Sequence, residues 1–119
     1  MNGPLRLLVA DDDPVMRMLL GAIARGDPGL ELVAEAADAD EAIALAVEHR
    51  PDVVLLDVEM PGGGGLRAAR EIRSAVPSAR VLGLSAHSDG AEMVAAGADG
   101  YVVKGTPPAD VARALRGDA

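Results

Sequence analysis

The sequence predicts an α/β fold: a parallel sheet with helices on both faces. Three observations lead there. Short apolar runs alternate with longer stretches of helical periodicity five times along the 119 residues. One run, Val53-Val54-Leu55-Leu56, is apolar at every position, as strands buried on both faces are. Proline, glycine and capping residues punctuate the boundaries between run and helix. A chain of this length suits one compact domain, so residues 1–119 are expected to form a single unit.

The first run, Leu5 to Ala10, ends at Asp11-Asp12-Asp13. Asp13 before Pro14 reads as an N-cap and a proline at the first helical position. Val15, Met18, Leu19, Ala22 and Ile23 then recur at helical spacing until Gly26-Asp27-Pro28-Gly29 stops the helix. The second run, Leu30 to Ala36, sets Leu30, Leu32 and Ala34 on one side. Asp38 with Glu41 forms a capping box, and its helix continues to about Arg50. After the third run, Pro61 and Gly62 to Gly65 read as a flexible loop. The glycines lack the Gly-Lys-Ser/Thr ending of a phosphate-binding loop. A helix over Leu66 to Ala75 should turn Leu66, Ala69 and Ile72 inward and leave Arg67, Arg70 and Arg73 as a solvated basic face. Val81 to Leu84, a short helix from about Gly90 to Ala96, and Gly100 to Val103 follow. A last helix, Ala109 to Arg116, follows Thr106-Pro107-Pro108.

Composition removes several function classes. The formal net charge is −8, which repels phosphate backbones and argues against direct nucleic-acid binding by this domain. Without cysteine there is no disulfide framework, thiolate metal site or cysteine nucleophile. That usage fits the cytoplasm. No apolar run approaches the roughly 18–20 residues of a membrane span. The N-terminus lacks the basic and apolar regions of a signal peptide. Tyr101 is the chain's one aromatic residue, so the core must be built from Leu, Val, Ile, Met and many Ala.

Open α/β sheets bind ligands beyond the carboxyl ends of their strands. There this sequence carries Asp11-Asp12-Asp13 after strand one, Asp57 and Glu59 after strand three, Ser85 after strand four and Lys104 after strand five. Asp13 is set apart as a helix cap. Two carboxylates about 4 Å apart repel by roughly 4 kcal/mol at an effective dielectric near 20, so a site that gathers them needs raised pKa values or a cation. Oxygen ligands without His or Cys favour Mg²⁺ or a similar hard ion such as Mn²⁺, held by Asp11, Asp12 and Asp57. A metal beside Asp57 would neutralise an incoming phosphoryl group and make this carboxylate a plausible nucleophile. Lys104 and the Ser85 hydroxyl are placed to bind phosphoryl oxygens.

The stretches LLVADDDPVMR, VVLLDVEMPGGGGL, VLGLSAH and GADGYVVKG, in this order and across nearly the whole chain, resemble the receiver domain of two-component response regulators. The resemblance implies a flavodoxin-like (βα)5 three-layer sandwich with strand order 2-1-3-4-5, and transfer of phosphate to an aspartate. The donor would be a sensor histidine kinase or phosphotransfer protein. It implies Asp57 as phosphoacceptor, Asp11 and Asp12 as the metal-binding pair, and the Glu59 backbone carbonyl as a further metal ligand. Ser85 would be the switch hydroxyl, Tyr101 the switch aromatic and Lys104 the phosphate-binding lysine. Such a domain phosphorylates and dephosphorylates itself but is not an enzyme in the usual sense. It would signal to an unknown output domain or partner, and a homodimer stays open.

Four features depart from the family's commonest pattern. Ser85 stands where threonine is frequent. Gly105 follows Lys104 in place of proline. The Ser85–Lys104 stretch is about three residues short, which trims the fourth helix. Glu59 adds an acid; Glu59 and His87 flank the site entrance and are either two solvated side chains or a pair across it that slows water attack on a phosphorylated Asp57. Three alternatives are weaker. An aspartate phosphatase would place its nucleophile after strand one, and a flavin carrier would need more aromatics. A phosphate-independent pseudo-receiver, acting as an interaction module, would not need the complete acid set.

Overall fold

The computed structural model describes residues 3–86 and 90–118. Strands and helices alternate: β1 Leu5–Ala10, α1 Pro14–Arg25, β2 Leu30–Ala36, α2 Ala39–His49, β3 Val53–Asp57, α3 Gly64–Ala75, β4 Arg80–Ser85, α4 Ala91–Ala95, β5 Gly100–Val103 and α5 Pro108–Arg116. The strands form one parallel sheet in the order β2-β1-β3-β4-β5. This is the flavodoxin-like three-layer arrangement expected from the motifs.

β3 is central, and all five of its residues are buried. On one sheet face Leu7, Val9, Leu55, Leu84 and Val102 pack with Leu20 and Ala24 of α1 and with Val111 and Leu115 of α5. On the other, Leu8, Val54, Leu56 and Val81 meet Ala42 and Ala46 of α2, Ala69 and Ile72 of α3, and Met93 of α4. Alanine on α2 and α3 brings those helices close to the sheet, so aliphatic residues close the core without an aromatic ring. Far from the strand ends that matter below, Arg6 donates to the carbonyls of His49 and Arg50 (2.6 and 3.1 Å). Arg80 donates likewise to Ala114 and Leu115 (2.6 and 3.1 Å). Each guanidinium thus satisfies carbonyls at a helix C-terminus.

The caps form as expected, with one displacement. Asp13 accepts from the Val15 N–H at 2.9 Å, and Asp38 from the Glu41 N–H at 2.8 Å. The Glu41 carboxylate reaches back to Ala37 rather than Asp38. Other elements correct the sequence reading. Leu7 pairs with Leu32 but Leu8 with Ala34, so Val33 is an extra residue in β2. Leu30 and Leu32 stay on the α1/α5 face, whereas Ala34 and Ala36 turn to the α2 face. In α1 the buried residues are Leu20, Gly21 and Ala24, while Val15, Met18 and Leu19 are exposed. The α3 arginines are not simply solvated. Arg67 pairs with Asp40 and Glu71, each at 2.7 Å, and Arg73 pairs with Asp99. Arg70 is exposed.

The four-glycine run is only half loop, because α3 begins at Gly64. A Cβ on Gly65 would collide with the Asp57 carbonyl oxygen, and one on Gly64 would lie 2.8 Å from that of Val58. The first turn of α3 therefore presses directly on the end of β3. Gly62 differs: φ is +84°, but the nearest atom to an added Cβ is 3.5 Å away. Gly62→Ala should cost about 1–2 kcal/mol for its left-handed backbone. Gly65→Ala should cost more, because backbone itself must move. Urea unfolding of the two variants measures the difference.

Candidate functional site

The strand ladder assembles the site. Ala10 pairs with Leu56 at the end of the β1–β3 ladder, so Asp11 and Asp57 are the next residues on adjacent strands. Ser85 pairs with Val103 at the end of the β4–β5 ladder, and Lys104 follows. The Lys104 N–H then donates to the Ser85 carbonyl at 2.7 Å. Four residues distant in sequence are thus carried to one sheet edge by backbone pairing.

Carboxylate oxygens of Asp11, Asp12 and Asp57 all lie within 4.8 Å of one another. Asp11 and Asp57 are buried and Asp12 is exposed. Lys104 Nζ lies 3.3 Å from Asp57 Oδ1 and 3.8 Å from Asp11 Oδ2. Asp11 is held on three sides. Its N–H donates to the Ala36 carbonyl (3.0 Å), the Arg17 guanidinium donates to its carbonyl (2.6 Å), and its Oδ1 accepts from the Asp13 N–H (2.9 Å). Its Oδ2 is buried without a hydrogen-bond partner. Burial raises the Asp11 carboxyl from 3.8 to about 6; the Asp13 N–H opposes this, the Asp57 charge adds to it and Lys104 opposes it. An orphaned buried oxygen beside two more carboxylates, with only hard oxygen donors, fits a divalent cation such as Mg²⁺.

Beside the acids lies a cleft of about 200 Å³ lined by Asp57, Val58, Glu59, Ser85, Ala86, Glu92 and Lys104. Ser85 is buried at its floor. The Glu59 N–H donates to Asp57 Oδ1 at 3.2 Å, and its side chain is exposed. Tyr101 is 41% exposed on β5 and is not a core residue. His87 lies outside the described residues, and with it any Glu59–His87 pair. Gly105 takes φ +93°, which proline cannot adopt, so the loop after Lys104 follows a different path from one carrying proline there. Two residues at the site escaped the sequence reading. Arg17 lies one turn into α1, where its guanidinium reaches back to the Asp11 carbonyl. Glu92 enters the cleft from the first turn of α4, a helix only five residues long.

Asp11 carries its raised carboxyl at a stability cost. The folded protein retains a proton on this group between about pH 4 and pH 6 that the unfolded chain releases. Its contribution is therefore neutral below that window, and it destabilises increasingly as pH rises through it. Asp11→Asn should raise the melting temperature of chelator-treated protein at pH 7. The gap from wild type should narrow as pH falls toward 4, which calorimetry across that range measures.

The family model described as the response regulator receiver domain matches residues 7–116. The DNA-binding transcriptional activator DevR/DosR of Mycobacterium tuberculosis is 36% identical over 115 residues, covering 94% of this chain and 53% of that protein. A LuxR-family two-component response regulator from Aurantimonas superposes with a TM-score of 0.88 at 38% identity, covering 96% of this chain and 84% of the other. The receiver domain of a Pseudomonas aeruginosa sensor histidine kinase, with magnesium coordinated in its active-site cleft, superposes at 0.81 with 25% identity, covering 97% and 99%. The chain spans between 22% and 55% of the length of the curated relatives it matches. Its fold, its acidic cleft and these similarities show that the chain belongs to the response regulator receiver domain family of two-component signalling.

Proposed function

We propose that residues 1–119 act as one receiver unit in which Asp57 accepts a phosphoryl group from a sensor histidine kinase or phosphotransfer protein. The observation that carries this reading is the Lys104 ammonium 3.3 Å from Asp57, inside a cluster of three carboxylates. A carboxylate oxygen of Asp57 attacks the phosphorus of a phosphohistidine. The new O–P bond forms as the N–P bond breaks, and the imidazole leaves. Lys104 and the Ser85 hydroxyl bind the phosphoryl oxygens. Asp11, Asp12, Asp57 and the Glu59 backbone carbonyl would hold Mg²⁺ or Mn²⁺, which when bound offsets the charge of the incoming group.

The phosphate adds about −1.5 to −2 charges at the cleft. Ser85 and Lys104 move toward it, and Tyr101 turns into the space that Ser85 leaves. A new surface is thereby offered to an output domain or partner. The phosphate stays on the protein's own side chain until water removes it, so the unit is a phosphoacceptor rather than a turnover enzyme. The setting is cytoplasmic, as expected for a kinase-coupled regulator. Where the output is DNA binding, as in its mycobacterial relative, a separate domain makes that contact, since this unit is strongly acidic.

With Mg²⁺ and acetyl phosphate, wild-type protein should gain one phosphoryl group, read by intact mass. Asp57→Asn should gain none, and Lys104→Ala should gain it far more slowly. Beryllium fluoride should bind wild type and not Asp57→Asn. Equal results for wild type and Asp57→Asn in both assays would favour a phosphate-independent interaction module.

A further inference from the structure

Tyr101, the chain's single aromatic residue, sits directly against a glycine. A Cβ built on Gly90 would clash with the Tyr101 ring at Cγ and the two Cδ atoms. Gly90 is the N-cap of α4, with φ −72° and ψ 3°. Any L residue tolerates that backbone conformation. Conformational freedom therefore does not explain a glycine here; the ring does. Gly90 is buried while Tyr101 is exposed, so the ring covers the start of the helix and keeps its outer side in water.

The register says where the ring could otherwise go. Tyr101 pairs with Gly83, and Val103 with Ser85. Side chains alternate along a strand, so Tyr101 and Ser85 share one sheet face. α4 covers that face, since a Cβ on Gly83 would lie 2.8 Å from Met93. Two positions without side chains thus govern how α4 meets the sheet: Met93 fills the space at Gly83, and Tyr101 the space at Gly90. α4 has five residues and, among the described residues, no side-chain cap, so both contacts bear on its placement.

We propose that Gly90 is a positioning residue for Tyr101: its missing side chain gives the ring an outward seat and thereby sets the balance between outward and inward ring positions. The proposal rests on the reading of Ser85 and Tyr101 as the switch pair. A methyl group at position 90 occupies the seat, and the ring must leave it. The shared face leads toward Ser85. Removing the outward position shifts the population toward the state that phosphate also favours, so phosphate capture becomes easier.

Because Tyr101 is the only aromatic residue, its emission, quenching by acrylamide and near-ultraviolet circular dichroism report the ring without a label. Gly90→Ala should change all three with no phosphodonor present and should speed phosphorylation by acetyl phosphate severalfold. A folded Gly90→Ala protein with wild-type tyrosine signals overturns the proposal. Altered signals with an unchanged rate overturn the link between the seat and the switch. If Gly90→Ala does not fold, the Gly90→Ala/Tyr101→Ala protein decides. Recovery of the fold supports the ring contact, and continued failure refutes it. The same tyrosine change is expected in a Gly90→Ala/Asp57→Asn protein, which cannot take phosphate. Failure of the phosphoacceptor reading would therefore show in wild-type labelling and leave the ring measurement to stand or fall alone.

Discussion

Three carboxylates held together at the ends of β1 and β3 are the constraint around which this domain is arranged. Their oxygens lie within 4.8 Å of one another, and two of the three acids are buried. At such separations each pair repels by a few kcal/mol even in a moderately polar site. Unaided side chains would swing apart into water. Asp11 cannot, because Ala36, Arg17 and Asp13 hold its backbone and one carboxylate oxygen. Asp57 cannot, because it is the last residue of a strand buried along its whole length. Among the described residues Lys104 supplies the one ion pair to the two buried carboxylates, and it reaches both. The raised Asp11 carboxyl reflects burial first and the Asp57 charge after it, an excess that the Asp13 N–H and Lys104 do not cancel.

Building the fold from small side chains makes that arrangement affordable in space. With no large rings in the core, the helices approach the sheet through alanine and glycine. At Gly65 the approach is close enough that a single carbon would strike the carbonyl of Asp57. The same residue donates its N–H to the Val58 carbonyl at 3.0 Å. Asp57 is thus braced from behind by the start of α3 as well as by its neighbours in the sheet. Such bracing suits a nucleophile whose geometry must not relax.

Much of this was legible because backbone pairing in a parallel sheet converts strand ends into neighbours. Asp11, Asp57, Ser85 and Lys104 could be expected together once each was recognised as the first polar residue after an apolar run. Counting within an element held in α3, where Leu66, Ala69 and Ile72 turn inward, but failed in β2 and α1. Alternation in β2 breaks at Val33, and one inserted residue reverses every side chain beyond it. The apolar spacing of α1 was real, yet its Val15, Met18 and Leu19 row faces water. Periodicity gives the existence of a stripe, and the neighbouring helices decide which stripe is buried. Gly64 and Gly65 resembled loop because glycine is a poor helix former, and tertiary contact overrode that propensity. Arg17 and Glu92 reach the site from helices, through side-chain length and helix position that no strand-end rule captures.

The sheet order also bears on where a signal can leave the domain. β3, which carries Asp57, is central and paired on both sides, with helices above and below. Displacing it would break two ladders at once. β5 is four residues long, lies at the edge and is paired only with β4. It nevertheless carries Tyr101, and its next residue, Lys104, touches the acids through its ammonium and Ser85 through its backbone N–H. A change in charge at Asp57 would therefore act first on groups attached to a short edge strand. The shortened α4 lies over that same edge, seated on Gly83 and against Tyr101. The proposed chemistry thus sits where the backbone is paired on both sides, and the part left to answer it is one edge strand and a five-residue helix.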